Sequence, residues 1–228
     1  MNKTIVKLLS CFIFSKQARQ DFRRRHRARN NRIIVYKNDG GGYRVSSVNG
    51  LECVFHGSGN TVEIYEPCVF ERGVKFEFFG DGCAVSLNKC RLVDFYAELN
   101  ESAKFTVDEN SSVSGRFHLI NEKNTSVSIG KECMFSGEIQ FWPTDGHTVK
   151  EVASGRCINK AKNGIVIGNH VWIGYRSMIL KNVRLPDHCI VGAGSVVSRS
   201  FDEENIVIAG NPAVKVKSGV DWGREPPC

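Results

Sequence analysis

The chain has 228 residues, 41% of them hydrophobic, and a formal net charge of +7. That is enough for one sizeable core, and no apolar run reaches the roughly 18 residues that a membrane helix needs. Its nine cysteines are odd in number and include no Cys-x-x-Cys pair. They fit reduced structural thiols of a cytoplasmic protein better than a disulfide framework or a metal cluster.

The charge is concentrated at the start of the chain. Residues 16 to 32, KQARQDFRRRHRARNNR, hold eight Lys or Arg and one Asp, and the remaining residues balance at 23 basic against 23 acidic. Ile5, Leu8, Leu9 and Phe12 precede this cluster at helical spacing, so residues 1–35 read as a basic amphipathic helical arm. LLSCFIF is too short for a secretory leader, and no small-residue cleavage site follows it. Three readings of the arm stay open. It caps the domain that follows or packs across an oligomer; it adsorbs peripherally to an anionic membrane; or it attracts a polyanion. Nucleic acid is disfavoured as a partner, because the balanced remainder offers no basic stripe interleaved with aromatics.

From about residue 50, segments such as GNTVEIYEPCVF, VDENSSVSGRFHL and NTSVSIGKECMF have strand composition broken by Asn, Gly and Ser turns. Further on a strict repeat emerges. Stepping by six from Ile167 gives Ile173, Ile179, Leu185, Val191 and Val197, an unbroken aliphatic column. Four residues after the first five members come Val171, Ser177, Val183, Cys189 and Ser195, and Gly follows the column at 168, 174 and 192. An aliphatic residue, a glycine and a small residue every six positions describe a short strand ending in a tight corner. Three such sides close a triangular coil of about eighteen residues, and stacked coils make an all-β solenoid, a parallel β-helix. An ordinary sandwich would alternate with period two instead.

The same phase appears upstream at Ile129, Phe135 and Phe141, with Cys133 and Ile139 at the fourth places, and then fails. The step from Ile129 to Ile167 is not a whole number of hexapeptides, so the phase has slipped between them. The chain therefore leaves the coil after Phe141 and rejoins it by Ile167, with a loop over residues 142–164. An excursion of roughly twenty residues is longer than most connections in a compact domain and commonly carries function. This one holds Trp142, Pro143, Asp145, Gly146 and His147. The predicted organisation is an arm over 1–35, a β-helix over 36–218 and a tail over 219–228. Trp172 follows the inward Val171 and should face outward. His170 and His188, one coil apart, should stack as an outward ladder.

The hexapeptide column, together with TDGH, GRCIN, IVIGNHVWIG, VIAGNPAVKVK and DWGRE, resembles the left-handed β-helix acyltransferases. Within that family it is most similar to the bacterial capsule O-acetyltransferases that act on sialic-acid polymers. The resemblance covers about residues 125–224. It implies a left-handed homotrimer that transfers an acetyl group from acetyl-CoA to a sugar hydroxyl of a surface polysaccharide, in grooves between subunits. The motif histidine of that family falls on His147, which would act as general base, since imidazole accepts a proton near neutral pH. Asp145 would orient His147 or receive the acceptor; its alternative is a plain turn residue of PTDG. Trp172 would line the groove against acetyl-CoA or sugar, or pack at a subunit interface, and Trp142 would stack on sugar. Gly174, Gly192 and Ala193 would let the pantetheine arm approach the backbone, and Lys215 and Lys217 would meet CoA phosphates. No Ser or Cys nucleophile is implied, so transfer is expected to be direct, within a ternary complex.

Other readings compete. Small-molecule acceptors such as galactosides or antibiotics fit the same chemistry, and a non-catalytic scaffold would need no histidine in the loop. A metal enzyme on this solenoid is disfavoured, because His170 and His188 are two ligands where an open catalytic zinc site needs three.

Overall fold

The computed structural model describes residues 29–162 and 164–226. The basic cluster therefore lies almost wholly outside the described residues, and so does the helix expected ahead of it. Among the described residues there is no helix, and the strands wind into stacked triangular coils.

The first coil holds β1 (Arg32–Tyr36), its hairpin partner β2 (Gly42–Val45) and β3 (Leu51–Phe55). The second holds β4 (Thr61–Tyr65), β5 (Val69–Glu71) and β6 (Val74–Phe78). The third is β7 (Ala84–Asn88) and β8 (Arg91–Leu99), and the fourth is β9 (Lys104–Val107) and β10 (Ser112–Asn121). The fifth holds β11 (Ser126–Ile129), β12 (Met134–Phe135) and β13 (Ile139–Trp142). After the loop come β14 (Ile165–Ile167), β15 (Trp172–Ile173) and β16 (Met178–Leu180). The last coil is β17 (Arg184–Leu185), β18 (Cys189–Val191) and β19 (Val196–Val197), followed by the hairpin of β20 (Ile206–Gly210) and β21 (Ala213–Ser218).

Parallel pairing sorts these strands into three faces. Face one stacks β1, β4, β7, β9, β11, β14 and β17. Face two stacks β5, the first part of β8 and of β10, then β12, β15, β18 and β20. Face three stacks β3, β6, the second part of β8 and of β10, then β13, β16 and β19. At each end one antiparallel strand covers one of the open sheet edges, β2 beside β1 on face one and β21 beside β20 on face two. Because β1 already pairs with β4, the solenoid includes Arg32–Tyr36, part of which lies inside the segment read as the arm.

The register explains why the repeat is legible only late in the chain. Val166 pairs with Arg184, three whole hexapeptides on. Thr61 pairs with Ala84 and Ala84 with Lys104, steps that exceed three hexapeptides and differ from each other. Longer coils enclose a wider cross-section, which must still be filled to crystal-like density. Phenylalanine fills it: Phe76, Phe95, Phe105, Phe117, Phe135 and Phe141 are fully buried, with Phe95 stacked on Phe117 at 4.7 Å between ring centroids. Below Phe141 the coils narrow, and the whole column from Ile167 to Val197 is buried, together with Val171, Ser177, Val183, Cys189 and Ser195.

The wide and narrow halves should therefore respond differently to truncation. Phe117→Ala leaves a void among stacked rings and should cost about 3–5 kcal/mol, against about 0.5–1.5 kcal/mol for Ile179→Val in a narrow coil. Equilibrium urea unfolding measures both; a loss below about 1 kcal/mol for Phe117→Ala would show that its ring is not a core support.

Candidate active site

Two registers bracket the excursion. Val127 pairs directly with Ile165, so a single turn of the coil carries the whole loop. Both its ends lie at the corner between faces three and one. Beyond Trp142 the chain forms an exposed hairpin closed by the Lys150–Cys157 bridge and by the Ile158 amide donating to the Val149 carbonyl at 3.0 Å. Asp145 and His147 are both exposed on its first arm.

Asn159 ties the loop together. Its Nδ2 donates to Asp145 Oδ2 at 2.7 Å and to the His147 carbonyl at 2.8 Å, while its Oδ1 accepts from the Val149 amide at 2.8 Å. Lys181, at the corner below, donates to the Asp145 carboxylate and to the Asn159 carbonyl. Asp145 therefore bonds neither the His147 ring nor its own backbone; it anchors the loop to the solenoid. The Lys181 hydrogen bond holds its carboxyl below the usual carboxylate range. That contribution is complete above the ordinary aspartate value of about 3.9 and is lost as pH falls through the depressed value. The loop thus stays anchored through the neutral range. Trp142, half-buried on face three, donates to Gln140 Oε1 at 3.0 Å and meets His118 edge-on at 6.1 Å.

The remaining candidates lie elsewhere. Trp172 does face outward, on face two, where register places it between Met134 and Ile190. Gly174, Gly192 and Ala193 form the corner between faces two and three, and Lys215 and Lys217 lie on β21 beside face two. A Cβ on Gly174 would sit 2.6 Å from the Ala193 amide nitrogen, and one on Gly192 would sit 2.9 Å from the Ala209 Cβ. Coil stacking alone therefore requires glycine at 174 and crowds 192, whatever a ligand needs. Lys215 is paired with Glu203 at 2.5 Å, while Lys217 is exposed.

The candidates thus form two groups. His147, Asp145 and Trp142 gather at the corner between faces three and one; Trp172 and the other five lie on the opposite face or its edge. A six-residue side at about 3.3 Å per residue extends to about 20 Å, beyond the reach of one side chain. Within a single chain the two groups are not brought together.

Along face two runs a feature that sequence reasoning left without a role. The tail turns back over the histidine ladder, whose rings are 5.1 Å apart. Trp222 stacks on His170 at 4.4 Å, donates from Nε1 to the His170 carbonyl at 2.8 Å, and lies 6.2 Å from Trp172. Arg224 reaches the Asn110 and Cys133 carbonyls, both at 3.1 Å. Asn159, Lys181 and Trp222 were missed as site residues because their partners are distant in sequence; only GRCIN and DWGRE pointed to two of them. Burial pushes the thiols of Cys133 and Cys189 up to about 11 and about 12, which removes both as nucleophiles at neutral pH.

Comparison with known proteins agrees with the repeat. Residues 164–199 match the family described as bacterial transferase hexapeptide (six repeats). A polysialic acid O-acetyltransferase of Neisseria meningitidis is 43% identical over 99 residues, covering 43% of this chain and 46% of that protein. Another, from Escherichia coli O1:K1 / APEC, is 28% identical over 124 residues, covering 54% of this chain and 39% of that protein. The chain thus spans less than half the length of these curated relatives. The crystal structure of the polysialic-acid-specific acetyltransferase NeuO superposes with a TM-score of 0.77 at 24% identity, over 88% of both chains.

If Asn159 closes the loop, Asn159→Ala should speed amide hydrogen exchange through residues 145–159 while the strands of faces one to three keep their protection. Unchanged exchange in the loop would show that it is held by something else. Residues 164–199 thus carry the bacterial transferase hexapeptide repeat, and the described solenoid shares the overall fold of the NeuO structure.

Proposed function

We propose that this protein is an acetyl-CoA-dependent O-acetyltransferase acting on a sugar hydroxyl of a capsular or other surface polysaccharide, with sialic-acid polymers the leading acceptor. The observation that carries the reading is the anchored loop, which presents His147 on an otherwise regular solenoid. The names of the two sequence relatives support the acceptor class.

The expected chemistry is direct. His147 takes the proton of the acceptor hydroxyl as that oxygen attacks the thioester carbonyl. The carbon–sulfur bond then breaks, and the proton passes to the departing thiolate. Acetyl-CoA supplies the activated acetyl group. Trp172, half-buried on an apolar stretch of face two, offers the pantetheine a flat surface, and the exposed Lys217 offers a phosphate a cation. Lys215 would have to leave Glu203 to do the same.

A complete site calls for a second copy, because His147 and Trp172 lie on opposite sides of one chain. We therefore infer a homotrimer in which the loop of one subunit faces the Trp172 side of the next. Val149, Val152 and Ile158, exposed on the loop hairpin, are apolar surface that such a neighbour would cover. Free thiols at the seven described cysteines favour a cytoplasmic site of action, and the basic residues 16–32 favour peripheral attachment to the anionic inner membrane surface.

His147→Ala should lower acetyl transfer by about 10²–10⁴-fold, the usual worth of a positioned base, with the melting temperature unchanged. Release of free coenzyme A thiol measures it; activity within threefold of the parent would remove His147 from the mechanism.

A further inference from the structure

We propose that the tail is clamped to the histidine ladder by a divalent transition-metal ion bound to His170, His188 and Asp221. The inference stands apart from the transfer reaction, since none of the three belongs to the residues given roles in it.

The sequence offers two ligands, and the fold supplies a third. One ring nitrogen of His170, one of His188 and a carboxylate oxygen of Asp221 lie within 4.8 Å of one another. Individual separations are 3.1 Å from His188 Nδ1 to Asp221 Oδ2 and 3.4 Å from His170 Nε2 to Asp221 Oδ1. Ligand atoms around a tetrahedral ion with bonds of about 2.0–2.1 Å sit about 3.3 Å apart, so small side-chain rotations close the site. The Trp222 carbonyl, 3.0 Å from His170 Nε2, is placed as a fourth oxygen donor. Two imidazoles with oxygen ligands suit Zn²⁺, Co²⁺ or Ni²⁺.

A second observation concerns the other ring nitrogen. His170 Nδ1 is buried and makes no hydrogen bond, and Glu132 Oε2 lies 3.8 Å from it. If Nε2 carries the only ring proton and donates it to Trp222, a bare lone pair at Nδ1 faces a carboxylate. With an ion on Nε2 the ring proton would sit on Nδ1, and closure of Glu132 from 3.8 Å would complete the carboxylate–histidine–metal arrangement that fixes ring orientation in many sites. The ion would join two coils to residues 221–222 and so hold Trp222 against His170 beside Trp172.

Backbone geometry suggests the variant to use. His170 and His188 occupy left-handed corners at φ of 52° and 55°, and Asn110 and Asn205 adopt the same conformation at 60° and 55°. His188→Asn therefore removes a ligand while keeping a residue suited to the corner. The experiment is titration of the EDTA-stripped, untagged full chain with Zn²⁺ by calorimetry and with Co²⁺ by visible absorption. One ion per chain should bind saturably, His188→Asn and Asp221→Asn should each weaken binding by at least tenfold, and Zn²⁺ should slow amide exchange over residues 219–226. The proposal is overturned by absence of saturable binding to the parent chain, by binding that both variants leave unchanged, or by cobalt bands of thiolate ligation. A folded, monodisperse His188→Asn protein separates loss of the site from loss of the fold.

Discussion

Inward stacking of side chains along the solenoid axis is the constraint on which the rest depends. Each coil must place one apolar residue per side directly above that of the next, and each corner must hold a residue small enough for the backbone to turn. Where a coil is three hexapeptides long, aliphatic residues fill the section; where it is longer, phenylalanine does. A chain bound to this spacing cannot reach outward without leaving the coil. Between Trp142 and Gly164 it leaves once, and the pairing of Gln140 with Met178 shows that the stack resumes in register afterwards.

The same rigidity decides what one chain can and cannot assemble. Triangular winding fixes the loop at one corner and Trp172 on the face opposite, and no small adjustment of a packed solenoid alters that. Asn159 and Lys181 then hold His147 in place from one side through its backbone and the neighbouring Asp145, leaving the imidazole free toward solvent or a partner. Rigidity of this kind suits the role proposed for His147, that of a base meeting a substrate bound by another chain. On face two the returning tail adds Trp222 beside Trp172, so residues 221–222 border the surface proposed for acetyl-CoA.

Much of this was legible in the sequence where the physics is local and periodic. The column from Ile167 to Val197, its small corner residues, the outward Trp172, the histidine ladder and the length of the excursion all follow from a six-residue step. The upstream coils were not phased, because coils of unequal length erase a fixed period while still stacking. Gly174 illustrates an ambiguity that sequence cannot resolve: closeness to a ligand and closeness to Ala193 in the next coil demand the same residue. Asn159 closing on Asp145, and Asp221 meeting two histidines from separate coils, are tertiary accidents of the winding with no period to betray them.

Subunit complementation tests the central claim most directly, namely that catalytic base and cofactor surface come from different chains. His147→Ala and Trp172→Ala proteins, each impaired alone, are unfolded together, refolded as mixed oligomers and assayed for acetyl-CoA-dependent thiol release with a sialic-acid polymer. Random mixing in a closed ring should restore about one quarter of parental activity, since that fraction of interfaces unites two intact halves. Mixed oligomers no more active than the separate variants would contradict a site shared between subunits.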